Sequence, residues 1–396
     1  MAATLRTDIE AMIDILGDLA ALPEDAARGL PGRFYTDPDF YRFEVEALLS
    51  REWHCLGRAD QVPNPGDYFT AHLFDEPLLV VRGDDDMVRV LSNVCRHRGM
   101  PLAEGSGAGA RFVCPYHGWS YGLAGELVNA PRMRDKGATA ETCSLPAFRS
   151  DLWNGFIYVN LDDDAEPLAP RLGRLGQLLA NYGTAEMRFV RCFEEEWQTN
   201  WKCLVENFME AYHLSVVHPE TLHPYTPTGL SRKAMSDDAF TSYCANYPDT
   251  AAPRGAGAPG LREEERRRST LFCLFPTQLA SQAATLLVSL SVQPLAVDRI
   301  RVRWTLSTCG DELTPDDLES RIALWHEVNR EDREKLETMQ RALGSRHAPS
   351  GPLAPRHYEG TIWDFYRYLA RRIQASRLAE AAAQTPSGQV DAMERV

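Results

Sequence analysis

The chain lacks the features that would place it in a membrane, outside the cell or on nucleic acid. Across 396 residues no apolar run approaches the roughly 18 needed to cross a bilayer. Basic residues are few, 42 against 56 acidic ones, and the net charge of -14 argues against nucleic acid or an anionic membrane as the main partner. The nine cysteines include no close Cys-x-x-Cys pair and their number is odd, so reduced thiols are expected rather than a disulfide framework. The segment MAATLRTDIEAMIDILGDLAAL carries acids through its apolar positions, which a secretory signal core would not tolerate, and a cytoplasmic protein is expected. No Gly-x-Gly-x-x-Gly opens a strand-to-helix unit and no plant-type ferredoxin cysteine run occurs. The chain therefore has no evident means of taking hydride from a nicotinamide itself.

What remains is an ordinary globular composition, 44% hydrophobic and 25% charged, at a length that suits two domains or one elaborated domain. Residues 1–50 read as a helix, a loop with Pro23 and Pro31, and a second helix capped by Asp37. From Tyr68 to Val94 short Val/Leu/Phe segments separated by Pro, Gly and Asp predict antiparallel strands, and GFIYVNL (155–161) closes this all-β region over 51–160. Residues 161–376 form a larger part with strands at LLVSLSVQPL and DRIRVRWTLST and a long helix from Thr314, boxed with Asp317, to Leu343. The Pro/Gly/Ala and charge-rich stretch 249–269 reads as a solvated insertion or a mobile lid. Residues 377–396 read as a tail, frayed or disordered.

Two thiols and two imidazoles stand out in CRHRGMPLAEGSGAGARFVCPYHGW. Cys95 and His97 form one arm, Cys114 and His117 the other, with sixteen residues between them. Such a set suits a tetrahedral zinc or an iron-sulfur cluster. Zinc arms usually pair like with like, whereas here each arm mixes Cys with His. That mixture is what a [2Fe-2S] cluster with unequal irons requires, the two Cys on one iron and the two His on the other. The intervening GSGAGA does not open a helix and reads as a flexible connection.

A second site lies downstream in NWKCLVENFMEAYHLSVVHPETLHP. At helical spacing Trp201, Leu204, Val205, Phe208 and Tyr212 share one face, and Glu206, Glu210 and His213 the other. His218 is about 140° from His213 on an ideal helix, so the two converge only where the helix distorts or ends before Pro219. Two histidines and one carboxylate make the facial triad of non-haem iron(II), with positions left for dioxygen. On the helix 314–343, at about 100° per residue, Trp325, Val328, Leu336, Met339 and Leu343 fall within about 40° of Asp332. Glu331 lies about 100° away. An Asp on an apolar stripe is costly to bury unless it is paired with an arginine or binds metal, and Asp332 is the expected third ligand. His223 is expected at the surface or in the core rather than on the metal. Asn207 is expected either to tune the ligand helix by hydrogen bonding or to be a plain helix-face residue.

CRHRG and CPYHGW, with NWK, ENF, E-x-Y-H and the late Glu331-Asp332, are similar to the catalytic α subunits of Rieske non-haem iron oxygenases. The resemblance implies an α+β fold, a small all-β Rieske [2Fe-2S] domain inserted in a helix-grip (START-like) catalytic domain with a large antiparallel sheet. It implies cluster ligands Cys95, His97, Cys114 and His117, a mononuclear Fe(II) on His213, His218 and Asp332, and Glu210 as an acid bridging the two metals across a subunit boundary. It also implies a homotrimer, a separate NAD(P)H-dependent reductase with or without a ferredoxin, O2, and a small-molecule substrate. The expected function is that of a terminal oxygenase hydroxylating an aromatic compound by mono- or dioxygenation. The alternative is hydroxylation or N-demethylation of a quaternary ammonium compound, toward which the short NFMEAYH with Glu points. A bare Rieske electron carrier is the competing class. Phe272, Phe275, Tyr225 and Tyr243 are aromatic candidates for either pocket or for the core.

Overall fold

The computed structural model describes residues 2–252, 255–310, 313–348 and 350–384. Six helices matter to the site: α1 (Ala2–Ala21), α2 (Pro38–Ala47), α3 (Trp201–Phe208), α4 (Leu214–Val217), α5 (Pro315–Leu343) and α6 (Arg356–Gln384). The Asp37 side chain accepts from the backbone of Asp39 and Phe40 to start α2, and the Thr314–Asp317 box starts α5, as the cap chemistry predicts. None of the described helices is long and apolar enough to cross a membrane.

Three small antiparallel sheets occupy the region from His54 to Asn160. Val88–Ser92, Glu76–Arg82, Asp67–Leu73 and Ser106–Ala108 form one. His54–Arg58, Phe156–Asn160 and Arg149–Trp153 form another, and Phe112–Val113, Ser120–Tyr121 and Leu127–Asn129 the third. Ser106–Ala108 falls within GSGAGA. That stretch is therefore a paired edge strand against Asp67–Phe69, not a loose connection.

A seven-stranded antiparallel sheet dominates the rest. Its order is Arg188–Trp197, Arg299–Thr308, Leu286–Ala296, Gln278–Gln282, Arg268–Leu274, Phe240–Asn246, Ser231–Lys233. Alternation assigns its faces. Leu286, Val288, Leu290 and Val292 pack with Ile300, Val302, Trp304 and Leu306 into the core that also holds Trp197, Trp201, Leu204 and Val205. Leu287, Phe240, Phe272, Leu274 and Ala280 face a second core with Leu172, Leu175 and Leu179. Two of the seven strands, Leu286–Ala296 and Arg299–Thr308, are legible in the sequence.

The N-terminal helices belong with this sheet. Met12, Leu16, Phe34 and Phe40 share its inner core with Phe365, Leu369 and Ile373 of α6, and the Trp363 indole donates to the Leu22 carbonyl at 2.9 Å. Helix α6 runs past Ser376 to Gln384, so residues 377–384 are helical; 385–396 lie outside the described residues. Of the stretch 249–269, in which 253–254 lie outside the described residues, the part from Ala258 onward is anchored rather than simply solvated. Ala258 and Leu261 join the second core, and buried Glu265 accepts from Asn181 at 3.1 Å and pairs with Arg262 at 2.6 Å.

Candidate metal centres

The two Cys-His arms fold as matched turns. Gly99 N–H donates to the Cys95 carbonyl at 2.9 Å, and Gly118 N–H to the Cys114 carbonyl at 3.0 Å. Both glycines adopt positive φ, 76° and 73°, which a side chain would strain. The turns bring Nδ1 of His97 within 3.1 Å of Nδ1 of His117, while Cys95 and Cys114 are buried behind them. Trp119 stacks on His97 with centroids 5.0 Å apart, and the Tyr121 hydroxyl sits 3.4 Å from Cys95 Sγ. All nine cysteines are free. Two imidazole nitrogens facing each other beside two buried thiols fit a cluster with one His-held and one Cys-held iron. Met100, Val113, Tyr116 and Val128 are exposed around this tip.

At the second centre the helix expected through His213 stops at Phe208, and α4 starts after His213. The break has tertiary causes. Tyr358 of α6 takes the Ala211 N–H through its carbonyl at 3.1 Å, and the Thr361 hydroxyl donates to the Met209 carbonyl. The Glu210 carboxylate accepts the N–H groups of Tyr212 and His213. Tyr212 is consequently 58% exposed and stacks on Tyr358, instead of lying on the apolar face.

This break lets the histidines meet. His213, His218 and Asp332 place ligand atoms within 4.8 Å of one another. Asp332 Oδ1 is 3.0 Å from His218 Nε2 and 3.6 Å from His213 Nε2. His218 Nε2 and Asp332 Oδ1 are buried and, though close, not aligned for a hydrogen bond, so each lacks a polar partner. Two orphaned, buried lone-pair donors converging on one point fit a bound cation. Asp332 is 8% exposed and lies with Ile322, Val328 and Leu336 on the buried stripe of α5; Met339, expected there, is 40% exposed and Gln340 takes its place.

Each histidine is fixed from behind by a carboxylate. His213 Nδ1 bonds Glu210 Oε1, and His218 Nδ1 lies 2.7 Å from Glu331 Oε2, which also accepts from the Thr221 hydroxyl at 2.7 Å. Glu331 was not expected in the site, since its 100° offset from Asp332 points it away from the stripe. Its partners come from the segment after α4, which a wheel of α5 alone cannot show. Burial lowers the pKa of His213, but the charges of Glu210, Asp332 and Glu359 outweigh this and leave it raised. Burial and the Glu210 charge raise Glu359, on the first turn of α6. His223 is exposed, with Nδ1 2.8 Å from Ser215 Oγ, away from the triad. Asn207 enters through its carbonyl, which accepts the Glu210 N–H at 3.4 Å. Of the aromatic candidates, Phe272, Phe275 and Tyr243 are core residues, and Tyr225 is 42% exposed.

A ring-hydroxylating α subunit catalytic-domain model matches residues 184–375, and a Rieske [2Fe-2S] domain model matches 52–149. The chain belongs to the Rieske non-haem iron oxygenases, as a catalytic α subunit. It is an enzyme of that class, with both iron domains, and not a bare electron carrier. This α subunit is 26% identical over 338 residues to the carnitine monooxygenase oxygenase subunit of Escherichia coli K12, covering 83% of this chain and 87% of that one. It is also 26% identical over 337 residues to the chloroplastic choline monooxygenase of Spinacia oleracea, covering 83% and 75%. The solved quaternary ammonium Rieske monooxygenase bound to gamma-butyrobetaine superposes with a TM-score of 0.76 at 25% identity, covering 90% of this chain and 98% of that one. The benzene 1,2-dioxygenase α subunit of Pseudomonas putida is 35% identical, but over half of this chain.

Proposed function

We propose that this α subunit oxidises a quaternary ammonium compound, in place of the aromatic substrate that the sequence put first. The relatives similar along most of the chain favour that class, but one feature of the site carries the reading. Glu210, Glu331, Asp332 and Glu359 surround two histidines, and among the described residues no lysine or arginine pairs with any of the four. Glu210, Glu331 and Asp332 alone outnumber the two charges of Fe(II). Such a field favours a substrate with a permanent positive charge over a neutral ring.

In this reading Cys95 and Cys114 hold one iron of the cluster, His97 and His117 the other, and His213, His218 and Asp332 hold the mononuclear iron. One-electron transfer is the chemistry the cluster supplies when bound, and dioxygen activation that of the mononuclear iron. Glu331 and Glu210 fix the imidazole orientations, so that each presents Nε2 to the shared point. A trimer brings the exposed cluster tip onto the surface above Glu210, where Tyr212 and Val216 are exposed. Glu210 then joins His213 to His117 of the partner subunit. Reducing equivalents come from a separate reductase, with or without a ferredoxin.

The test is NADH and O2 consumption by the holoenzyme with a surrogate reductase. Glycine betaine, choline, carnitine and gamma-butyrobetaine are compared with benzoate and naphthalene. Consumption coupled to a quaternary ammonium compound is the expected result. Coupling to the aromatic compounds alone overturns the reading.

A further inference from the structure

Three polar residues lie on the buried face of α5: Asn329, Asp332 and Gln340. Gln340 is fully used, its Nε2 donating to the Tyr35 carbonyl and its Oε1 accepting the Asn200 N–H, both at 2.9 Å. Asp332 belongs to the triad. Asn329 is 3% exposed, and its amide nitrogen Nδ2 is buried with no hydrogen-bond partner among the described residues. An unpaired buried amide is costly, and native interiors keep few of them without a partner.

The place of Asn329 on the helix indicates what that partner is. At about 100° per residue Asn329 stands about 60° to one side of Asp332, with Leu336 at about 40° and Ile322 at about 80° on the same side. Glu331 stands about 100° to the other side, where it holds His218. Asn329 therefore lies on the flank of the triad opposite the His218 anchor, with Ile322 and Leu336 of the inner core. One turn separates it from Asp332, which puts their Cβ atoms about 5–6 Å apart. Nδ2 and the orphaned Asp332 Oδ1 do not bond each other. An amide nitrogen has no lone pair to give a metal and offers hydrogens only. What satisfies it is an acceptor atom from outside the chain, one turn from a carboxylate of the iron site.

We propose that Asn329 is a further residue of the iron pocket, whose amide donates a hydrogen bond to the small exogenous molecule held where the triad leaves the iron open. This rests on the assignment of iron to His213, His218 and Asp332, and is independent of the substrate class. The triad fixes three positions and leaves the others to water, dioxygen or a small anion, all of which carry acceptor lone pairs. A donor on one flank sets the direction in which such a molecule lies and raises its affinity, most of all for an anion.

Azide is the probe, on the holoenzyme with its cluster oxidised and its mononuclear iron ferrous. Nitric oxide at the open position gives the mononuclear iron an EPR signal, and azide is titrated against it in competition. Asn329→Leu, close in size, and Asn329→Asp, of the same shape, both lack the donor. Each is expected to raise the azide Kd about tenfold or more, with mononuclear iron content and cluster absorbance unchanged. A second measurement separates this role from that of a structural amide. With the mononuclear iron removed by a chelator and the cluster retained, the urea midpoint of Asn329→Leu should equal or exceed that of the wild type, because the substitution removes an unpaired donor. A lower midpoint would mean a hydrogen bond within the chain. An azide Kd within about twofold of wild type, or a loss of iron, would mean that the amide meets no exogenous ligand. Any of these overturns the proposal, whereas a wild-type enzyme that gives no such EPR signal sinks the triad assignment beneath it.

Discussion

His218 stands between two carboxylates, its Nε2 3.0 Å from Asp332 and its Nδ1 2.7 Å from Glu331. In the proposed iron centre the first contact gathers the metal's ligands and the second holds the ring that supplies one of them. The two therefore differ in what their loss removes. Asp332→Ala is expected to lower iron content by about one per subunit and abolish turnover, with the visible absorbance of the cluster intact. Glu331→Ala keeps all three ligands and should weaken iron retention about 10–100-fold, measured by competition with a chelator. Glu331→Gln retains an acceptor for His218 and should fall between wild type and Glu331→Ala. Equal iron retention in all three would show that Glu331 orients nothing.

The same pair shows what the sequence could and could not reveal. Cys95, His97, Cys114 and His117 were legible because each arm is a tight turn whose geometry is local. Asp332 was legible because one helix wheel suffices to expose an acid on an apolar stripe. Glu331 was not, since its role depends on Thr221 and His218 from a different element. The helix break after Phe208 left no local mark either: no Gly or Pro occurs between Trp201 and His218. It is imposed from 150 residues away, by Tyr358 and Thr361 of a helix whose own pattern the sequence reading passed over.

Glu210 bonds His213 Nδ1 while accepting two backbone N–H groups, so its carboxylate both holds the ring and ties down the turn that carries it. Glu210→Gln keeps the shape and one acceptor oxygen but removes the charge. In a chemically reduced enzyme given substrate and O2, reoxidation of the cluster should slow at least tenfold, the equivalent of one lost charge-assisted hydrogen bond. Iron content should hold. Stopped-flow absorbance reads this step directly, and an unchanged rate would remove Glu210 from the path between the metals.

Glu206 lies one turn before Glu210 with its carboxylate against Tyr35. The Tyr35 hydroxyl donates to both of its carboxylate oxygens, at 2.8 and 3.0 Å, yet burial dominates and pushes its pKa up to about 8. An unfolded glutamate loses its proton near 4.5, so between that pH and 8 the native state holds a proton that the unfolded state lacks. The contribution is complete below about 4.5 and is lost as pH rises through 8. Glu206→Gln, neutral at every pH, should gain stability relative to wild type by a few kcal/mol between pH 5 and pH 9. Urea midpoints at the two pH values give the comparison, and a difference that does not change with pH would mean an ordinary, ionised Glu206.

The start of α3 rests on a buried ion pair. Lys202 Nζ lies 2.8 and 2.7 Å from the two carboxylate oxygens of Glu44 in α2, with both side chains at 1% exposure or less. The ammonium also lies 5.1 Å from the Trp201 ring and 5.7 Å from that of Tyr35. Lys202→Met leaves Glu44 buried without its cation and should cost about 3–5 kcal/mol, because an uncompensated charge in that core has no water to turn to. Glu44→Leu in the same chain removes the orphan and should recover most of the loss. Denaturation midpoints of the two single variants and the double variant supply the coupling energy. Additive losses would mean that packing around the aliphatic stems, rather than the charge pair, ties α2 to the helix that leads into His213.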